Sequence, residues 1–363
     1  MSLAETAERA AADTAEGSPF PNGSVPSART GGWQLWLGIA FSVACLYLAL
    51  RDANLIDVAS ALGQVHPGWV AFAAVTVVVT FIAKAARWRL LLATLSPPRF
   101  RRALAVLSIG MLLNSFMPAR LGDLARAYLM GEAEAQGKTY VLGTIALEKL
   151  VDLALLVVSS LLLLTQMPFP NWLSRPTQVT AAMVALSIPV LVLLAWRGDV
   201  ALRLVGKLTS LVPSGLGAWL RRQAALALRS LTVLRHPSLT ARLGAWSLVI
   251  WFLGALTNYI VLLAVGLSVP AWTSVLLLVV LQAGVAVPSS PGRIGVFHYL
   301  TVLTLSLLGV DKELSVLYAI VLHLVVYVPM VVVGIASLWH EEITWQKLGE
   351  GAARLGQLAG KLR

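Results

Sequence analysis

Residues 314–339 read LSVLYAIVLHLVVYVPMVVVGIASLW, without a single Asp, Glu, Lys or Arg. At about 1.5 Å rise per residue, a helix of this length exceeds the ~30 Å hydrocarbon core of a bilayer. Backbone polar groups in hydrocarbon must be paired within their own segment, so an apolar run this long specifies a spanning helix. Five more apolar blocks, at 33–50, 68–86, 139–165, 179–196 and 245–266, read the same way. The predicted fold class is an all-α integral membrane protein with about six spanning helices. Two shorter apolar stretches, 103–117 and 272–287, each run into a segment containing Pro and Gly. Such segments interrupt a regular helix, so both are expected as broken or re-entrant hairpins.

The composition agrees with a lipid solvent. Of 363 residues, 58% are apolar and 12% charged, about half the charged share of a soluble domain. The net charge of +11 does not point to nucleic acid, because the basic residues gather at the ends of apolar blocks. Lys84, Arg87, Arg89, Arg99, Arg101 and Arg102 follow the second block, and eight more lie between Arg197 and Arg242. The positive-inside bias makes both loops cytoplasmic. The stretches 51–67 and 166–178 hold only Arg51 and Arg175, which suits the opposite side. Six spans then leave both termini in the cytoplasm of a cell-membrane protein.

Around the membrane region 33–340, residues 1–32 read as a disordered tail and 341–363 as a short cytoplasmic one. The segment 197–243 alternates basic and apolar positions, as an amphipathic helix on an anionic leaflet does, or a solvated connector. Tryptophans near block ends, Trp88 among them, fit an interfacial aromatic belt. The single Cys45 excludes an intrachain disulfide and a cysteine metal site.

The two predicted breaks share a pattern. Pro118-Ala119-Arg120-Leu121-Gly122 and Pro291-Gly292-Arg293-Ile294-Gly295 both read Pro-x-Arg-aliphatic-Gly, about half the chain apart, with Pro288 just before the second. Discontinuous helices at corresponding positions of two halves point to an inverted repeat and a substrate site at the bilayer midplane. Irregular backbone at that depth needs polar partners, so each break implies a polar interior. The helices restarting after Pro118 and Pro291 aim free N–H groups toward it. With Arg120 and Arg293 they form two expected anion sockets, suited to phosphate.

Other charged residues lie close by. Asp123 and Arg126 are spaced to pair at i, i+3. Lys149 and Asp152 have the same spacing, whereas Glu148 and Asp152 share a face and repel unless bridged. Glu148 therefore needs another partner, and Arg120 or Arg126 is expected to supply it. His298 and His323 are further intramembrane titratable groups, of the kind that more often make interhelical hydrogen bonds than proton relays.

These landmarks together resemble the flippase-like transmembrane domain of lysylphosphatidylglycerol synthases, the multiple peptide resistance factor family and its stand-alone relatives. They are Arg87-Trp88, NSFMPARLGDLAR at 114–126, Glu148-Lys149 with Asp152, and PSSPGRIGVF at 288–297. The resemblance spans about 35–340. It implies a domain that moves a lipid between leaflets without nucleotide hydrolysis, with Arg120, Asp123, Arg126, Glu148, Asp152 and Arg293 carried over as substrate-binding residues. Relatives often hold an acidic residue where His298 stands, and the synthases continue into a soluble aminoacyl-transfer domain.

The expected function is thus a lipid translocase for a phospholipid or polyprenyl-phosphate lipid. Arg120, Asp123, Arg126, Glu148, Lys149, Asp152, Arg293 and His298 contact the substrate, and Pro118, Gly122, Pro288, Pro291, Gly292 and Gly295 shape the hairpins. No cofactor, metal, catalytic residue or nucleic acid is expected; the chain lacks GxxxxGK[ST]. One alternative is a membrane glycosyl- or phosphoryl-transferase using a polyprenyl-phosphate substrate. Another is a scaffold for a lipid-synthesis enzyme, and a homodimer is compatible with each.

Overall fold

The computed structural model describes residues 32–93, 97–117, 121–133, 137–166, 171–209, 214–284 and 289–340. The expected tails, apart from Gly32, lie outside the described residues, as do Pro118, Arg120 and Pro288. All regular structure among the described residues is helical. In chain order the α-helices are α1 (Gly32–Leu50), α2 (Leu55–Leu62), α3 (Pro67–Leu92), α4 (Phe100–Phe116), α5 (Leu121–Ala133) and α6 (Lys138–Leu163). They continue as α7 (Asn171–Trp196), α8 (Gly198–Thr209), α9 (Ser214–Ser230), α10 (Pro237–Val265), α11 (Thr273–Gly284), α12 (Val296–Ser306) and α13 (Lys312–His340). Two 3-10 turns, Leu231–Arg235 and Pro291–Arg293, join α9 to α10 and precede α12.

Local sequence accounts for several boundaries. α3 and α10 start with proline at their first helical positions, where a missing N–H is harmless and φ is preset. Asn54 caps α2 by accepting from the Ile56 N–H at 3.1 Å. α10 stops at Gly266, whose φ of 75° is left-handed.

Among the described residues, four helices are long and apolar enough to cross a membrane: α3, Gln178–Trp196 within α7, α10 and α13. A fifth candidate is the pair Gly38–Leu50 and Leu55–Leu62, bent by 81°. The expected block 33–50 is thus one limb of a bent pair, because the polar run Arg51–Asn54 ends α1. The block 139–165 is a single helix, α6, but the charges of Glu148, Lys149 and Asp152 interrupt its apolar length. Each of the two stretches expected as a broken hairpin holds a pair of short helices, α4–α5 and α11–α12, which pack on each other.

The element order repeats. Each half consists of a first helix, shorter connecting helices, a long helix, a helix pair and another long helix: α1, α2, α3, α4–α5, α6, and then α7, α8–α9, α10, α11–α12, α13. Neighbours repeat as well. α5 packs on α6 as α12 packs on α13, α3 on α4 as α10 on α11, and α4 on α13 as α11 on α6, while α3 and α10 pack most extensively on each other. The larger apolar core lies along α3, α10, α11 and α13, around Val77, Phe81, Ile260, Leu277, Tyr318 and Leu322. A second, around Trp88, Leu91, Leu107, Met130, Tyr140 and Ile145, holds α5 and α6 against α3.

Candidate functional site

The helix pair α4–α5 closes by backbone contact. A Cβ on Gly122 would lie 1.9 Å from the Gly110 carbonyl oxygen, so no larger residue fits there. Asn114, near the end of α4, completes the join: its side-chain carbonyl accepts the Asp123 N–H at 3.2 Å and its amide donates to Asp123 Oδ1 at 3.0 Å. It caps an orphan amide in the first turn of α5 from a neighbouring helix. This fixes the face of α5 that carries Asp123 and Arg126.

That face meets α3 and α6 in an ionic network. Arg126 donates to Glu148 Oε2 at 2.8 Å and lies 3.7 Å from Asp123, so both expected partnerships form. Glu148 has a second partner the sequence reading did not assign, Arg87, at 3.1 Å. Arg87 also grips both oxygens of Asp152, at 2.6 and 3.1 Å, and donates to Ser247 Oγ at 3.1 Å. Its planar fork bridges two carboxylates that would otherwise repel on one helix face. The Lys149–Asp152 pairing expected from spacing does not occur: Arg87 occupies Asp152, and Lys149 lies 3.7 Å from Asp123.

Arg87 and Trp88 are further corrections. Both were placed at the end of the second block, in a basic loop and an aromatic belt, yet both are fully buried inside α3. The signal was present: Leu90–Leu92 follow them, so the apolar helix continues past the charge. Trp88 forms the floor of the network, its ring 4.2 Å from the Arg126 guanidinium carbon, a cation–π contact strengthened by desolvation.

Exposure divides the network. The Arg87, Arg126 and Glu148 side chains are 0%, 3% and 6% exposed, whereas Lys149, Asp152 and Asp123 are 43%, 26% and 16% exposed. The inner three hold helices together, and the outer three can meet a ligand. Arg87, Arg126 and Lys149 balance Asp123, Glu148 and Asp152.

The second break is a different construction. Gly292 and Gly295 have φ of 71° and 95°, and Arg293 is a non-glycine in the left-handed region at 55°. Strain of this kind persists only where neighbours impose it. Here Ser42 Oγ accepts the Ser290 N–H at 2.7 Å, and His323 Nε2 lies 3.0 Å from the Gly292 carbonyl oxygen. A Cβ on Gly295 would lie 1.9 Å from the Ser42 carbonyl oxygen, so glycine is required on both grounds. His298 faces the Gly295 N–H at 3.5 Å and lies 4.9 Å, centroid to centroid, from the His323 ring, which stacks on Tyr327 at 4.1 Å. The structure therefore brings Asp123, Arg126, Glu148, Lys149 and Asp152 together at one node and His298 near Arg293 at another.

Helices of this apolar length, with an ionic node among them, define a multi-pass membrane protein. The chain belongs to the lysylphosphatidylglycerol synthase TM region family, which it matches over residues 35–334. It is similar to a UPF0104 membrane protein of Methanocaldococcus jannaschii, 23% identical over 62% of this chain and 92% of that one. It is also 25% identical to the glycosyltransferase AglD of Haloferax volcanii, over 83% of this chain and 53% of AglD, so it spans about half that protein's length. No solved structure matches it.

Proposed function

We propose that this protein is a lipid translocase that passes a phosphate-bearing lipid between leaflets. The observation that carries the reading is the ionic node: charged groups from α3, α5 and α6, three of them fully or nearly buried, at the join of a broken helix pair. Intramembrane charges of this kind mark substrate pathways. In this reading α6 and the bent pair α1–α2 complete six spans. Each half then makes three crossings, and an odd number inverts the second half relative to the first. The two helix pairs become hairpins entered from opposite faces, with both termini in the cytoplasm of the cell membrane. Arg120 and Arg293 bind the phosphate, Lys149, Asp123 and Asp152 sort the rest of the headgroup, and His298 lines the second hairpin. The membrane-region family supports a lipid role.

The test is leaflet-resolved exchange of tagged phospholipids and polyprenyl phosphates in proteoliposomes. The native chain is expected to accelerate exchange, and Arg120→Ala and Arg293→Ala to abolish it. A folded native chain without exchange on either lipid class would refute the proposal. A second reading, a membrane transferase using a polyprenyl-phosphate donor, is favoured by the similarity to AglD. Turnover of a lipid-linked sugar by the purified chain would select it.

A further inference from the structure

One cavity, of about 340 Å³, opens beside the ionic node. Its walls come from α6 (Val151, Ala154), α7 (Ile188, Val192) and α10 (Gly244, Leu248), among others, and they are apolar except for Ser247. That hydroxyl is already engaged, donating to the Leu243 carbonyl at 2.8 Å and accepting from Arg87. The cavity thus offers no unpaired polar group to water or to a polar ligand, and apolar cavities stay dry. Its rim faces the outside of the bundle: Ile188, Val192 and Leu248 are 41%, 41% and 60% exposed on α7 and α10, two of the candidate spans. Around spanning helices the outside is hydrocarbon.

We infer that this cavity holds one acyl chain of the lipid whose headgroup meets the ionic node. The inference rests on the translocase reading and adds where the tail lies. Size agrees: a dry cavity of about 150 Å³ holds one benzene, so this one accommodates a chain segment about two rings long. Continuity agrees as well. Val151 lines the cavity and its neighbour Asp152 is held by Arg87, while Ser247 contributes to both cavity wall and node. A chain lying here puts its polar end beside the exposed edge formed by Asp152 and Lys149. Gly244 keeps the space open, for a Cβ added there meets nothing within 4 Å.

Gly244 also supplies the test. In Gly244→Leu and Gly244→Phe the side chain enters the cavity without backbone clash, and helix propensity rises. Proteoliposomes containing phosphatidylglycerol with a mid-chain diazirine are irradiated, and the adducts are mapped by mass spectrometry. Adducts are expected at 150–155, 188–192 and 244–248 in the native chain and are expected to be lost stepwise through Leu and Phe. Adducts spread evenly over lipid-facing residues, or unchanged in both variants, would overturn the inference. Exchange measured on the same vesicles separates the two ideas: localised adducts with no exchange overturn the translocase and leave the acyl site standing. Should Gly244→Phe fail to elute as a single species, the native adduct map alone decides, since adducts away from these three segments overturn the site.

Discussion

Replacing Arg87 by Met removes the group that joins α3, α6 and α10. Arg87 is wholly buried and makes four donor contacts, to Asp152 at 2.6 and 3.1 Å, Glu148 at 3.1 Å and Ser247 at 3.1 Å. Met fills a similar volume with an apolar chain, so the loss is electrostatic. Glu148 keeps Arg126 at 2.8 Å, but Asp152 loses both its charge-assisted bonds. Removing one partner of a buried ion pair costs about 3–5 kcal/mol. At about 2 °C per kcal/mol for a chain this long, the melting temperature should fall by about 6–10 °C. The assay is thermal loss of the monodisperse peak of detergent-solubilised protein by fluorescence-detected size exclusion. Arg87→Met with Asp152→Asn should recover about half the loss, because the second change removes the stranded charge. Arg87→Lys should fall between native and Met, having charge without a fork. An unchanged melting temperature in Arg87→Met, or a double variant worse than the single, would refute the keystone role.

Gly122→Ala forces a methyl group against the Gly110 carbonyl, so α4 and α5 must separate; the melting temperature should drop by several degrees and lipid exchange should fall with it. His323→Ala removes the contact to the Gly292 carbonyl oxygen, and hydrogen exchange at 290–296 is expected to rise while the 121–133 segment stays protected. Asp52, at the exposed end of α1, has its carboxyl held below the ordinary range by Lys312 and then by Arg51. A depressed carboxylate contributes above its ordinary pKa and loses that contribution as pH falls through the lowered one. Protection of residues 51–56 should therefore weaken only in acid, and Asp52→Asn should reproduce the acid state at neutral pH.

Sequence revealed the apolar solvent and the all-helical class, because apolar length is a local property. The breaks at Gly122 and Gly295 were legible for the same reason: Pro and Gly report backbone constraint where they stand. What stayed hidden was partner choice. Spacing on α6 pairs Lys149 with Asp152, yet the pair is overruled by Arg87, far away in sequence and on another helix. Asp123 was read as an intrahelical partner of Arg126, but Asn114 and Lys149 also claim it. Ser247 carried no sequence signal, being one hydroxyl in an apolar run whose role appears once α10 packs on α3. Arg120, the first expected socket, lies outside the described residues.

The two nodes occupy matching places and are filled differently. α5 against α6 carries Asp123, Arg126 and Glu148; α12 against α13 carries His298, His323 and Tyr327. A repeat built on charge in both halves would bind an ionic headgroup twice. This chain instead joins a self-neutralised ionic node to a ring-lined one in which Arg293 sits at the strained turn. In the proposed translocase reading, a lipid passing from one to the other exchanges paired charges for a strained turn beside His298, His323 and Tyr327, so its affinity at the two sites differs by chemistry as well as by access. With no energy source the site affinities set the rate of exchange and not its direction, so His298→Asp, which adds a charge to the second node, should slow inward and outward exchange by the same factor. A change confined to one direction, measured in the same vesicles, would refute passive exchange and point to coupling with a second gradient.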